Sequence, residues 1–93
     1  MKKINEETLL ELEKYSGLMF SIPDIADILE LDEQELKIIL LERGEPGRKA
    51  FKRGRLLMEA KIRQSIFDLA SNGSSPAQAF AVKLIDNAKM EDL

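Results

Sequence analysis

Residues 20–41 read Phe20-Ser21-Ile22-Pro23-Asp24-Ile25-Ala26-Asp27-Ile28-Leu29-Glu30-Leu31-Asp32-Glu33-Gln34-Glu35-Leu36-Lys37-Ile38-Ile39-Leu40-Leu41, and the same helix-start device occurs in them twice. Ser21 and Asp24 form a capping pair, with Phe20 before the cap and Ile25 after it placed to pack as a hydrophobic staple. Asp32 with Glu35, and Leu31 with Leu36, repeat the arrangement. Ile25, Ile28 and Leu29 make the apolar face of the first helix, and Leu36, Ile39 and Leu40 that of the second. Glu30-Leu31 leaves room only for a tight turn, so the segment predicts a helix-turn-helix. Counting Ile22 as the first position of such a unit, Ile25, Leu29, Leu31, Leu36 and Ile39 stand at its apolar positions and Ala26 at its alanine. Glu30 stands where a turn glycine is usual, which predicts a different turn.

Helical signals extend outward in both directions, and no stretch alternates in the manner of a strand. A first helix starts at the Asn5 cap, with Glu6 and Glu7 at its positive end, Leu9, Leu10 and Leu12 on its apolar face and Gly17 as its stop. Gly44, Pro46 and Gly47 close the third helix. A long helix follows from Arg48 to Asn72, with Phe51, Met58, Ile62, Ile66 and Leu69 on one side and Gly54 as an interruption. Its length of roughly 37 Å exceeds what a small domain can cover, which predicts packing on another subunit. Asn72-Gly73 ends it. Ser75 caps a last helix over residues 77–89, entered through Pro76, with Phe80, Leu84 and Ala88 inward and a frayed tail. The expected fold is all-α, with a helix-turn-helix tri-helical unit in residues 1–45. Residues 46–93 add the basic long helix and the last helix as a helical hairpin for packing and oligomerisation.

Composition narrows the function. The 93 residues suit one domain and contain no cysteine, histidine or tryptophan. Disulfides, zinc–thiolate centres and the commonest general base are thereby excluded, so neither an enzyme nor a metal or other cofactor is expected. The carboxylates Asp24, Asp27, Asp32, Glu33 and Glu35 lack the spacing of a calcium loop. Tyr15 reads as packing, and the methionines as gap-fillers. No apolar run reaches the roughly 20 residues that span a bilayer, and Met1-Lys2-Lys3 leads directly into Asn5-Glu6-Glu7 with no leader-like stretch. A cytoplasmic protein is expected.

Charge is segmental. Residues 1–45 hold 12 Asp and Glu against 5 Lys and Arg, whereas residues 46–63 hold 7 Lys and Arg against Glu59 alone. With Arg48 at zero on a helical wheel, Arg55, Lys52 and Arg63 lie at about 340°, 40° and 60°, with Lys49 near 100° and Arg53 near 140°. A stripe of this kind can track phosphates; the alternative is that these bases pair with the acidic first half. Gln34 and Lys37 are the residues of the second helix-turn-helix helix that could reach bases or phosphates, although the acids at its start would repel a duplex. If that helix stays out of a groove, Ile38 and Leu41 would be covered by the fourth helix or a neighbouring subunit.

The helix-turn-helix, the Gly-Pro-Gly-like break and Ala50-Phe51-Lys52-Arg53-Gly54-Arg55 together resemble small terminase subunits of tailed phages and prophages. Arg63-Gln64-Ser65-Ile66-Phe67-Asp68-Leu69-Ala70-Ser71-Asn72-Gly73, followed by Ser75-Pro76-Ala77, is similar to a second segment of that family in the same order. The resemblance covers residues 21–85. It implies a non-catalytic protein that recognises double-stranded DNA for packaging, assembles as a homo-oligomer and regulates a terminase large subunit. Carried onto this chain, Gln34, Lys37, Arg48, Lys49, Lys52, Arg53, Arg55 and Arg63 would meet DNA. Phe51, Met58, Ile62, Ile66, Phe80 and Leu84 would form core and subunit contacts. A prophage transcription regulator and a protein-interaction module with a helix-turn-helix-like core are the competing readings.

Overall fold

The computed structural model describes residues 4–93; Met1-Lys2-Lys3, on which the expectation of no leader rests, lie outside the described residues. Five helices follow one another: α1 (Glu6–Gly17), α2 (Ile22–Leu29), α3 (Glu33–Leu41), α4 (Pro46–Ser71) and α5 (Ser75–Glu91). Among the described residues there is no strand. The chain forms two compact units, one reaching Met58 and the other running from Glu59 to Leu93. The sequence reading divides the chain at 45/46, where α4 begins; the compact units divide within α4.

In the first unit every expected cap forms. Asn5 Oδ1 accepts from the Thr8 amide at 2.9 Å, Ser21 Oγ from that of Asp24 at 3.3 Å, and Asp32 Oδ2 from that of Glu35 at 3.0 Å. Each bond satisfies one of the amides that a helix start leaves without an intrahelical partner. The core consists of Leu12 from α1, Ile25, Ala26 and Leu29 from α2 and Leu36 from α3, with Tyr15, Ile22, Leu31, Leu40, Ala50 and Phe51 packed around it. Each fully buried leucine or isoleucine contributes about 1.5–3 kcal/mol. Leu10 and Ile28 are exposed, contrary to expectation: the core takes a narrower stripe from α1 and α2 than periodicity suggests.

The helix ends differ more from the reading. α1 runs through Gly17 and ends in a Schellman motif, with Phe20 N–H donating to the Tyr15 carbonyl and Met19 N–H to that of Ser16. Met19 takes the left-handed conformation there (φ 66°). α2 ends in the same way, with Leu31 N–H on Ala26 and Glu30 N–H on Asp27. Glu30 adopts φ 56° and ψ 43°. The missing glycine therefore does not change the turn; a glutamate is held in the left-handed geometry, at a cost of about 1–2 kcal/mol. α4 starts at Pro46 rather than Arg48, so Pro46 opens this helix instead of merely closing the last, and Gly47 is buried in its first turn.

Gly54 explains the position of α4. A Cβ built on it would collide with the Glu13 carbonyl oxygen and Ser16 Oγ, and one on Gly17 would lie 2.9 Å from the Gly54 carbonyl oxygen. The two helices meet backbone to backbone, and the apparent interruption of the long helix is its contact point with α1.

In the second unit, α4 ends through Ser74 N–H on Leu69 and Gly73 N–H on Ala70, with Gly73 left-handed (φ 99°). Ser74, not Ser75, caps α5, its Oγ accepting from the Ala77 amide at 3.4 Å. Gln78 Nε2 donates to the Ala70 carbonyl at 3.1 Å, which pins the hairpin beside its turn. The inward residues of α5 are Ala77 and Ala81, with Leu84 half-buried; Phe80 is 58% exposed and Ala88 is exposed. Ile62 and Leu69 of α4 are exposed as well. Small residues let α5 approach α4 closely, and the large ones remain outside. α5 stays helical to Glu91, beyond the expected fraying point.

Replacing Gly54 by alanine should lower the unfolding free energy by about 2 kcal/mol, because overpacking against a backbone outweighs the ~1 kcal/mol gained in helix propensity. Urea denaturation followed by circular dichroism measures it. A more stable variant would show that the α1–α4 contact is looser than described.

Candidate nucleic-acid interface

The arrangement of the basic residues follows from the crossing at Gly54. Successive residues on a helix project about 100° apart, so Arg53 and Arg55 extend to either side of the face that touches α1. Arg53 Nε lies 3.2 Å from Glu13 Oε1. Arg55 donates from Nε to the Ser16 carbonyl (3.1 Å) and from Nη2 to the Phe20 carbonyl (3.0 Å), while its guanidinium stacks 4.6 Å from the Phe51 ring centre. A cation thus sits at the negative pole of α1, sharing the Ser16 carbonyl with the Met19 amide and taking that of Phe20 just beyond the helix. Tyr15 and Phe20 meet edge to face beside it at 6.1 Å.

Arg48 and Lys52, one turn apart, lie nearer the start of α4, about two turns and one turn before Arg55, and face α3. With Lys37 they rim an open apolar groove of about 400 Å³ whose remaining lining is Ile22, Leu40, Leu41 and Phe51. Arg48 Nη1 donates to the Leu41 carbonyl at 3.1 Å, which closes the end of α3; the residue is half-buried. Lys37 and Lys52 are exposed, and neither forms an ion pair or hydrogen bond with any described residue. No carboxylate lines the groove. Lys49 and Gln34 are exposed outside it.

The eight residues named from the sequence therefore fall into distinct settings. Lys37, Arg48 and Lys52 converge, Lys49 and Gln34 stand clear of the groove, and Arg53 and Arg55 attach α4 to α1. Arg63 belongs to the second unit, with Nη2 at 4.0 Å from Glu59 Oε1 one turn away. Of the bases in residues 46–63, only Arg53 pairs with an acid of residues 1–45 among the described residues. The acids at the start of α3 serve the fold, Asp32 as its cap. Among the described residues no cluster of acids could hold a metal ion, and no helix is long and apolar enough to cross a membrane.

Sequence reasoning did not anticipate the groove. Ile22 serves only as the first position of the helix-turn-helix count, Leu40 belongs to the inward face of its second helix, and Phe51 reads as a core or subunit contact. What marks the groove in the sequence is the run Leu40-Leu41, too apolar for the last turn of a short surface helix. Comparison of the chain with protein-family models, with curated proteins and with solved structures gives no match.

Arg55→Ala should cost about 2 kcal/mol of stability, since hydrogen bonds from a charged donor contribute roughly 1.5–3 kcal/mol and the ring contact adds to them. Lys49→Ala, at an exposed site, should stay within about 0.5 kcal/mol of the parent. Equal denaturation midpoints for the two variants would remove the structural role assigned to Arg55.

Proposed function

We propose that the chain is a non-catalytic protein that binds double-stranded DNA through Lys37, Arg48 and Lys52, with Lys49 and Gln34 at the margin of the contact. The observation that carries this reading is the convergence of three cations from two helices on a groove whose lining contains no carboxylate. Lys37 and Lys52 have no partner among the described residues and Arg48 bonds only a carbonyl, so phosphates can neutralise all three with no ion pair broken first. Arg53 and Arg55 take no part in the contact in this reading, as their donors hold α1. The acidic start of α3 is kept away from the backbone, and the end of that helix, where Lys37 and Leu41 lie, approaches the duplex instead.

The resemblance to small terminase subunits gives this binding a purpose: selection of phage or prophage DNA for packaging, in concert with a separate large subunit. A transcription regulator reading an operator would use the same face. Self-association belongs to the same proposal and is assigned to the second unit, where Ile62, Leu69, Phe80, Val82, Ile85 and Met90 are all exposed. Apolar side chains in that number on one short hairpin favour burial against another copy.

Fluorescence anisotropy with a labelled duplex of mixed sequence, repeated across a salt series, tests the binding. Neutralising three phosphates corresponds to a logarithmic slope of about −2.7. Lys37→Glu combined with Lys52→Glu should abolish the interaction and leave the helical circular dichroism intact. Unchanged affinity in that double variant would sink the proposal.

A further inference from the structure

We propose that the groove between α3 and the first turns of α4 docks an acidic amphipathic helix of a partner protein. The floor of Ile22, Leu40, Leu41 and Phe51 is apolar, and the polar groups around it are the rim cations Lys37, Arg48 and Lys52. A binding site for a polar small molecule presents convergent donors and acceptors at its base, which this one lacks. Long, flexible cations above an apolar floor fit a helix that lays leucine-like side chains into the groove and holds carboxylates at its flanks.

Two further features support that occupant. Leu41 is 78% exposed at the lip of the groove, and Ile38 lies one turn before it on α3 at 57% exposure. Together they extend the apolar floor along α3 into a strip that the first unit does not cover, and residues three apart on a helix share a face. The charge is complementary in sign as well: three cations and no carboxylate exclude a basic helix and attract an acidic one.

The docking stands on the groove itself and not on DNA binding. If both occur they share Lys37, Arg48 and Lys52, so a partner helix and a duplex would compete for this face.

A fluorescein-labelled synthetic peptide, with leucines at helical positions i, i+3, i+7 and glutamates between them, is the probe. Anisotropy against the whole chain should rise to saturation. A peptide of identical composition with its leucines scrambled around the helix should bind roughly tenfold more weakly, and one with lysine in place of each glutamate should not bind. Leu41→Ser, at an exposed site that does not support the core, should weaken the parent peptide by roughly tenfold, the worth of one buried leucine. Lys52→Glu should do the same through charge. Equal binding of the scrambled peptide would reduce the effect to diffuse ionic attraction and overturn the proposal, as would full affinity in the Leu41→Ser chain. Saturable, face-dependent peptide binding in a chain that fails to bind duplex would uphold the groove and refute only the DNA reading.

Discussion

The first unit depends on a contact in which α4 presents no side chain and α1 presents only its backbone and the small Ser16 hydroxyl. Gly54 lies against the Glu13 carbonyl and Ser16, and Gly17 lies against the Gly54 carbonyl. Any Cβ at Gly54 would force α4 outward. Phe51 would then leave the edge of the core, and Arg55 would lose reach of the Ser16 and Phe20 carbonyls. Arg48 and Lys52 would also move away from Lys37, since their meeting across the groove needs α4 held close to α3. One glycine thus links packing to the placement of charge.

The same crossing sorts the cations. Residues flanking Gly54 project to either side of α1 and are used there, Arg53 on a carboxylate and Arg55 on carbonyls. Arg48 and Lys52, about two turns and one turn before Arg55, line the groove against α3 instead. A stripe of similar side chains in sequence therefore becomes two functional classes in space. The pairing of Arg53 with Glu13 is partly exposed and adds little stability by itself, about 0–1 kcal/mol. The Arg55 contacts matter more, because a charged donor ties α4 to two carbonyls at and just beyond the end of α1.

What the sequence reveals and conceals follows from the kind of signal each feature leaves. Caps at Asn5, Ser21 and Asp32 are local chemistry and can be read directly. The helix-turn-helix core at Ile25, Leu29 and Leu36 is a matter of period and is equally legible. Close approach is harder, because it is marked by small residues that also serve as helix breakers: Gly17 reads as a stop and Gly54 as an interruption, and both are contacts. Ala77 and Ala81 conceal the inward face of α5 in the same way, since apolar periodicity favours Phe80. Left-handed Met19 leaves no trace, and Glu30 is marked only by standing at the position of a turn glycine, because nothing in either residue type announces that geometry. For the candidate site, the cations are legible as a stripe, but which of them are committed to carbonyls depends on a tertiary contact.

The most direct test of the account is amide chemical-shift mapping of the whole chain during titration with a short duplex at low salt. The account predicts the largest changes at Lys37, Leu41, Arg48 and Lys52, with the amides of Glu6–Glu13 and of α5 nearly unmoved. Changes concentrated in residues 59–93, or none in the presence of excess duplex, would contradict it.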